Sequence, residues 1–191
     1  MPYNLTRIKI MKSLIITLIL DASGSMMGKN IAILNSTIVE LLPSIKKFTN
    51  IKVRAIKFAD SAEWHIGPIG LPINDFIWKC LDAVDCGETC TSAALNLIYN
   101  QIKTDKTISP NDTHMLLLFT DGYCSDIAAS FHQAIENLVS CFPDNNLTRI
   151  GIGIGEEYSE SDLVKFTGKG SHVFSNENFE NILNLISQTL N

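Results

Sequence analysis

Continuous or alternating apolar runs predict strands in this chain, and apolar residues spaced three and four apart predict helices. The runs "SLIITLIL" and "MLLLF" are typical of buried parallel strands, whereas "IKVRAIKF" mixes apolar and basic positions. Strands are predicted at 13–20, 51–58, 62–66, 113–120, 149–154 and 172–174, and helices at 28–42, 75–81, 92–102, 126–141, 161–166 and 177–190. Pro43 is expected to end or kink the first helix, and Gly67–Pro72 is expected to form a loop.

Strands that alternate with helices predict an α/β fold. We expect a three-layer αβα sandwich with a doubly wound, mostly parallel six-stranded sheet, in which residues 62–66 form one short antiparallel edge strand. The glycines of "RIGIGIGEE" are interpreted as a strand that needs close backbone packing, not as a dinucleotide-binding turn. In such sheets ligands bind beyond the carboxyl ends of the strands, near a topological switch point. The polar residues that follow the strands are therefore the candidates for function.

The composition is that of a folded chain with a sizeable core, because 46% of its 191 residues are hydrophobic and 18% are charged. We interpret residues 1–12 as an N-terminal extension and residues 13–191 as a single domain. A formal net charge of −5 without a basic run argues against a nucleic-acid partner. The apolar run after Lys12 is too short to span a bilayer and no other stretch is a candidate, so no membrane partner is expected.

The five cysteines are odd in number and lack the spacing of a disulfide framework. We therefore expect free thiols in a reducing compartment. Cys80, Cys86 and Cys90 lie close together in the sequence. Without paired Cys-x-x-Cys units or a nearby histidine, they do not indicate a zinc site.

Three polar segments carry oxygen donors at predicted strand ends or in loops. "DASGS" follows the first strand, "GETCTS" precedes a predicted helix, and "TDG" follows "MLLLF". Carboxylates and hydroxyls suit Mg²⁺, and the absence of Cys and His from the donor set disfavours zinc. "SGSMMG" is not the G-x-S-x-G motif of a serine nucleophile. Ser23 also stands where a haloacid-dehalogenase-like phosphatase needs a second Asp after Asp21, so the pattern favours metal binding over covalent catalysis.

The order of these segments resembles that of the von Willebrand factor type A (vWA) domain, from Ser13 to about Leu190. The motif D-x-S-G-S-M, the helix start "TCTSAAL" and the T-D-G motif match the family's pattern, although Ser92 stands where the family usually has glycine. The resemblance implies a Rossmann-like vWA fold with a metal-ion-dependent adhesion site (MIDAS) for Mg²⁺ or Mn²⁺. The implied metal-site residues are Asp21, Ser23, Ser25, Thr89 and Asp121. Thr91 stays open as an alternative to Thr89.

The resemblance further implies a metal-dependent protein-interaction module that is not an enzyme, in which the metal bridges to a Glu or Asp of a partner. A resemblance to stand-alone bacterial vWA proteins of the tellurite-resistance type implies a stress-response complex with a co-encoded kinase-like protein or a phosphatase. Specificity is expected from the surrounding loops, namely Met26 and Met27, Gly67–Leu71, Cys86–Thr91 and Tyr123–Ser125. Met26 and Met27 form either an exposed, adaptable apolar edge or a half-buried packing contact, and the sequence leaves both open. A metal-assisted hydrolase of small phosphates or esters and a metal-free scaffold remain alternatives.

The N-terminus also has the outline of a signal peptide. Arg7, Lys9 and Lys12 precede the apolar run, and small residues follow it. Cleavage after that run would remove the predicted central strand, and a metal site that includes Asp21 could not form. We therefore expect an uncleaved, cytoplasmic protein.

Overall fold

The structure, a computed structural model, describes residues 13–84, 87–105, 112–143 and 146–190. The predicted N-terminal extension and Cys86 lie outside the described residues. The strands are β1 Leu14–Asp21, β2 Ile51–Phe58, β3 Ala62–Pro72, β4 Thr113–Thr120, β5 Leu147–Gly153 and β6 Val173–Ser175. The helices are α1 Lys29–Ile45, α2 Thr91–Thr104, α3 Ala128–Val139, α4 Glu160–Thr167 and α5 Phe179–Leu190, with short 3₁₀ turns at Gly24–Met26 and Gly170–His172.

The six strands form one sheet in the order β3-β2-β1-β4-β5-β6, which confirms the predicted fold class. All pairs are parallel except β2 with β3. β1 lies at the centre and all eight of its residues are buried, as its continuous apolar sequence predicts. The chain order reverses direction on either side of β1, which places the topological switch point between β1 and β4, beside Asp21.

Two apolar cores cover the two faces of the sheet. Side chains of α1 and α5, including Leu34, Ile38 and Ile182, pack against one face. Side chains of α2, α3 and α4, including Leu95 and Leu138, pack against the other. The chain therefore forms the expected three layers, and burial on both faces holds the strand ends in place.

The predicted loop at Gly67–Leu71 is wrong, because these residues belong to β3. Leu71 pairs with Val53 and Pro72 pairs with Lys52, near the amino end of β2. A shift of register between Val53 and Ala55 accommodates the irregular sequence, and Pro and Gly are tolerated there because β3 is an edge strand. The segment thus lies at the end of the sheet away from Asp21 and cannot contribute to binding there.

The short helix predicted at 75–81 does not form, and no regular element occupies that segment. Phe76 and Leu81 are buried there. The side-chain amide of Asn35 accepts a hydrogen bond from the Leu81 N–H at 2.8 Å and donates one to the Leu81 carbonyl at 2.9 Å. A contact across the tertiary structure therefore holds this segment in place of helical hydrogen bonds.

Pro43 lies inside α1 and does not end it. Leu42 and Ile45, on either side of it, are both buried against the sheet. Their burial offsets the loss of one helical hydrogen bond at Pro43.

The glycines of β5 allow a close approach, as predicted. A Cβ atom placed on Gly153 would lie 2.3 Å from the ring of Tyr158, and one on Gly151 would lie 3.1 Å from Leu163. Both residues pair with neighbouring strands, so the segment is a strand and not a nucleotide-binding turn.

Candidate metal centre

The carboxyl ends of β1 and β4 and the start of α2 meet at one edge of the sheet. Asp21 is the last residue of β1, and Asp121 follows the last residue of β4. Thr89 lies two residues before α2 begins. All three side chains are buried. Fold topology alone therefore brings the acidic residues together, because parallel strands end at the same edge.

A chain of hydroxyl contacts links two of the sequence segments. The Thr89 hydroxyl donates to Ser23 Oγ at 3.0 Å, and Ser23 Oγ lies 3.2 Å from Ser25 Oγ. Thr89 and Ser23 are buried, whereas Ser25 is exposed. The cluster therefore extends from the interior to the surface, where a ligand can reach it.

The structure separates the roles of Thr89 and Thr91. Thr91 is the first residue of α2, and its side chain hydrogen-bonds with Cys124. Thr89 is the residue whose hydroxyl contacts Ser23. Of the two threonines, the contact with Ser23 therefore favours Thr89 as the candidate ligand.

The Asp21 carboxylate is buried and doubly hydrogen-bonded. Oδ1 accepts the Ser23 N–H at 2.9 Å, and Oδ2 accepts the Thr120 hydroxyl. Burial raises the pKa of Asp21 to about 6, the hydrogen bonds from Ser23 and Thr120 act in the opposite direction, and the charge of Asp121 raises it further. A cation bound here would favour the charged form of Asp21.

Thr120, which the sequence interpretation included in the T-D-G segment but not among the metal-site residues, connects the two acidic segments. Its hydroxyl donates to Asp21 and accepts the Gly122 N–H at 2.9 Å. The same T-D-G motif that includes Asp121 therefore also orients Asp21. Its place in that motif, directly before a candidate acid at a strand end, was a signal that could have identified it.

Ser125, predicted only as part of the specificity loop Tyr123–Ser125, and Asp126, which was not predicted to act here, hold the Thr89 loop in place. The Thr89 N–H donates to Ser125 Oγ and the Ser125 N–H donates to the Thr89 carbonyl, both at 3.1 Å. The Asp126 carboxylate accepts the N–H of Ser92 at 2.8 Å and also the Ser92 hydroxyl. Asp126 thus caps the start of α2 by accepting both hydrogen bonds from Ser92, the departure from the family pattern. No local sequence pattern identifies these contacts.

The structure decides between the two alternatives for Met26 and Met27 differently for each residue. Met26 is fully buried in the core that lies under α1, and only Met27 is exposed. The 3₁₀ turn at Gly24–Met26 explains the difference, since it turns consecutive residues to different sides. Pattern alone could not separate the two methionines.

The donor set consists of oxygen atoms alone. The Thr89, Ser23 and Ser25 hydroxyls contact one another, and the charge of Asp121 acts on the buried Asp21 carboxylate. Within residues 13–84, 87–105, 112–143 and 146–190, no group of three or more His, Cys, Asp or Glu side chains could hold a metal. The residues therefore fit a hard divalent cation such as Mg²⁺ or Mn²⁺, which oxygen ligands bind.

A family model for the von Willebrand factor type A domain matches residues 16–188. The chain belongs to the von Willebrand factor type A family. The vWA domains are generally interaction modules and not enzymes. No curated protein matches this chain.

Solved structures share the vWA fold of this chain. Proximal thread matrix protein 1 from the mussel byssus has a TM-score of 0.65 at 17% identity, over 94% of this chain and 47% of that one. An aerotolerance-related membrane protein from Bacteroides fragilis has a TM-score of 0.65 at 17% identity, over 93% of this chain and 98% of that one. Another structure of the mussel protein has zinc in its MIDAS motif, with a TM-score of 0.60 at 16% identity, over 94% of this chain and 45% of that one.

This chain spans only about half of the mussel protein, with 47% of that chain covered. At such identities the likeness shows the fold alone. Among the described residues, none of the helices is long and apolar enough to cross a membrane.

Proposed function

We propose that this vWA domain binds Mg²⁺ or Mn²⁺ and uses it to hold a carboxylate of a partner protein. The metal site would consist, in chain order, of Asp21, Ser23, Ser25, Thr89 and Asp121. A Glu or Asp of the partner would take a coordination position that these side chains leave open. The contact between Thr89 and Ser23 carries most of the proposal, because it joins hydroxyls from segments 66 residues apart at 3.0 Å.

Electrostatics support a cation at this position. Burial raises the pKa of Asp21 to about 6, and the neighbouring Asp121 carboxylate adds to that effect. A bound divalent cation supplies positive charge that stabilises both carboxylates and attracts an anionic ligand. The chain's own contribution is orientation, since the Ser23 N–H and the Thr120 hydroxyl each hold one oxygen of Asp21.

The surface end of the cluster indicates the side from which a partner would approach. Ser25 is the exposed member of the hydroxyl chain, whereas Ser23 and Thr89 are buried behind it. A partner's carboxylate would therefore reach the metal from the side of Ser25.

The cytoplasmic location and the tellurite-resistance or stress-response complex, with a kinase-like protein or a phosphatase, stay predictions from the sequence resemblance. The identity of the genes beside this one tests them. A co-encoded kinase-like protein or phosphatase would support that context.

Isothermal titration calorimetry with Mg²⁺, Mn²⁺ and Zn²⁺ tests the metal site. We expect Mn²⁺ binding by the wild-type protein and a loss of about tenfold or more in affinity for Ser23→Ala, since a hydroxyl ligand is removed. Ser36→Ala is the matched control, because the Ser36 hydroxyl is exposed and donates only to the Ile33 carbonyl within α1.

Two outcomes would replace the proposal. If none of the metals binds the wild-type protein, the domain is a metal-free scaffold. If the protein hydrolyses phosphate esters with Mg²⁺ and Asp121→Ala abolishes the turnover, it is a metal-assisted hydrolase.

A further inference from the structure

Large apolar side chains are exposed around the candidate metal centre. Four of them, which we call the apolar rim, come from four different segments: Met27 is 47% exposed, Val84 42%, Tyr123 57% and Ile127 75%. Large apolar side chains grouped around a polar site are typical of interaction surfaces.

Two members of the apolar rim belong to segments bound beside β1. Met27 follows the turn that contains Ser25, and its N–H donates to the Gly24 carbonyl at 3.2 Å. The Val84 N–H donates to the carbonyl of Ala22, next to Asp21, at 2.9 Å. Their backbones are therefore held at short range from candidate ligands.

The other two members belong to the segment after β4. The Tyr123 N–H contacts Oδ1 of Asp121 at 3.4 Å. Ile127 immediately precedes α3 and follows Asp126, the residue that caps α2. The apolar rim thus borders the metal centre from both of the strands that end there.

A cavity of about 330 Å³ lies beside Ile127, between α3 and α4. Ala128, Phe131 and Ile135 of α3 supply an apolar wall, and Asp162 and Lys165 of α4 lie opposite. The two charged residues form an ion pair with each other. The cavity therefore offers an apolar wall for a large side chain next to Asp126, the residue that caps α2.

Two lysines at this end of the sheet already pair with acidic residues. Lys29, at the start of α1, bridges to Glu156 at 2.7 Å, and Lys165 bridges to Asp162. Each of these two lysines already has an acidic partner. The positive charge of each lysine is therefore partly offset by its neighbour.

The exposed charges beside Thr89 are acidic. Glu88 precedes it directly, and the Glu88 N–H donates to the Asp60 carboxylate at 2.6 Å. Both side chains are exposed. A ligand with several negative charges would be repelled by them, whereas one carboxylate placed on the metal would be neutralised.

We propose that this face recognises a peptide segment with a single Asp or Glu flanked by large apolar residues. The inference rests on the proposed function, because the carboxylate would bind the metal. The apolar rim and the cavity would bind the flanking side chains, and the acidic surroundings would exclude polyacidic and phosphorylated segments.

Pooled octapeptides with a central Glu test this inference by fluorescence anisotropy with the full chain and Mg²⁺. Four pools carry Leu/Phe, Ala, Ser or Asp on both sides of the Glu. A further pool has phosphoserine in place of the Glu. We expect the Leu/Phe pool to bind about tenfold or more tightly than the Ser pool and to lose binding in EDTA or on replacement of Glu by Gln.

Matched variants then locate the preference on the surface. In the double variant Tyr123→Ser with Ile127→Ser, the affinity for the Leu/Phe pool should fall to that for the Ser pool. Its Mn²⁺ affinity, measured by calorimetry, should stay unchanged. The control is Ile69→Ser with Val139→Ser, a pair of exposed apolar residues on β3 and at the far end of α3. Ala128→Phe, which narrows the cavity, should remove the preference for Leu/Phe over Ala.

The outcomes separate this inference from the proposed function. Equal metal-dependent binding of all Glu pools, or tighter binding of the Asp-flanked or phosphoserine pool, overturns the inference and leaves metal bridging intact. No metal-dependent binding of any pool by a protein that binds Mn²⁺ overturns both.

Discussion

The sheet buries acidic side chains at one end and basic side chains toward the other. At the carboxyl end are Asp21 and Asp121, and toward the amino end are Arg54 on β2 and His114 on β4. All four side chains are buried in the same α/β framework. They differ in what surrounds them, and that difference separates a candidate binding site from a structural polar cluster.

The basic groups are enclosed by protein. Arg54 donates to Thr17 Oγ1 at 2.9 Å and to the Pro68 carbonyl at 3.1 Å, and its guanidinium lies 5.1 Å from the Trp64 ring centre. Burial lowers the pKa of Arg54 to about 10, and the charge of Asp105 acts in the opposite direction. Packing and these hydrogen bonds accommodate part of this cation, while in the described part of the chain its buried Nη2 has no hydrogen-bond partner.

His114 is accommodated by losing its charge. Its ring packs 4.7 Å from that of Phe142, and in the described part of the chain neither ring nitrogen has a hydrogen-bond partner. Burial, followed by the charge of Arg54, lowers the pKa of His114 to about 3. A neutral imidazole suits this apolar setting and needs no ligand.

The acidic end is different because it leads to solvent. From Asp21, the polar atoms of Ser23 and Ser25 continue to the surface, so an ion can enter and stabilise the carboxylates. Burial of a charge-bearing residue alone therefore does not mark a functional site. A candidate binding site is indicated by a buried ionisable side chain that polar groups connect to solvent.

The largest expected effect concerns His114. Its folded pKa of about 3 lies below the ordinary 6.5, so its contribution to stability is complete above pH 6.5 and is lost as the pH falls toward 3. The full loss corresponds to about 5 kcal/mol of unfolding free energy. In denaturant unfolding, His114→Phe should reduce the fall of the unfolding free energy as the pH is lowered from 6.5 toward 3. The control His132→Phe, at an exposed histidine, should leave that fall unchanged. An equal fall of the unfolding free energy with decreasing pH in wild type and His114→Phe would contradict the prediction.

Asp21 should show the opposite dependence in the presence of chelator. Its folded pKa of about 6 lies above the ordinary 3.8, so its contribution to stability is complete below pH 3.8 and is lost as the pH rises through 6. The loss is about 3 kcal/mol. Asp21→Asn should abolish it and make the metal-free protein more stable than wild type at neutral pH.

The same variant distinguishes a binding site from a structural cluster. With Mn²⁺ at about 100 times its dissociation constant, wild type should gain about 3 kcal/mol of unfolding free energy and Asp21→Asn should gain nothing. Asp75→Asn, at an exposed turn, should behave as wild type. An equal gain by Asp21→Asn would place the metal elsewhere.

Removing the hydroxyl of Thr120 should have a smaller effect. Thr120→Val keeps the shape but removes a hydrogen bond to a charged carboxylate, which is worth about 2 kcal/mol, and also removes the acceptor of the Gly122 N–H. The pKa of Asp21 should rise further, so Mn²⁺ affinity should fall more at about pH 6 than at about pH 8. Thr189→Val, which removes a hydroxyl bonded only within α5, serves as the control. The same affinity loss at both pH values would exclude an action through Asp21.

The smallest expected effect is that of Ser125. Ser125→Ala removes the acceptor for the Thr89 N–H, and we expect Mn²⁺ binding to weaken by about fivefold, or about 1 kcal/mol. Ser125→Thr should restore it, and Ser140→Ala, which affects only a bond to Asn137, should not change it. Unchanged Mn²⁺ affinity in Ser125→Ala would show that the loop holds Thr89 without this bond.

Sequence alone determined the layered fold and the position of the candidate centre. The continuous apolar run of β1 indicated a central strand, and the acids that follow β1 and β4 had to share one edge because parallel strands end together. These conclusions depend on local periodicity and on a topological rule. Neither requires knowledge of side-chain packing.

Only the tertiary structure decided the rest. It showed that Met26 is buried while Met27 is exposed, that Gly67–Leu71 extends the edge strand, and that Ser125 holds Thr89. The opposite environments of Asp21 and His114 likewise depend on neighbours from other strands and helices. Hydrogen bonds, burial and pKa values arise from contacts between residues far apart in the chain, and a local sequence pattern does not contain that information.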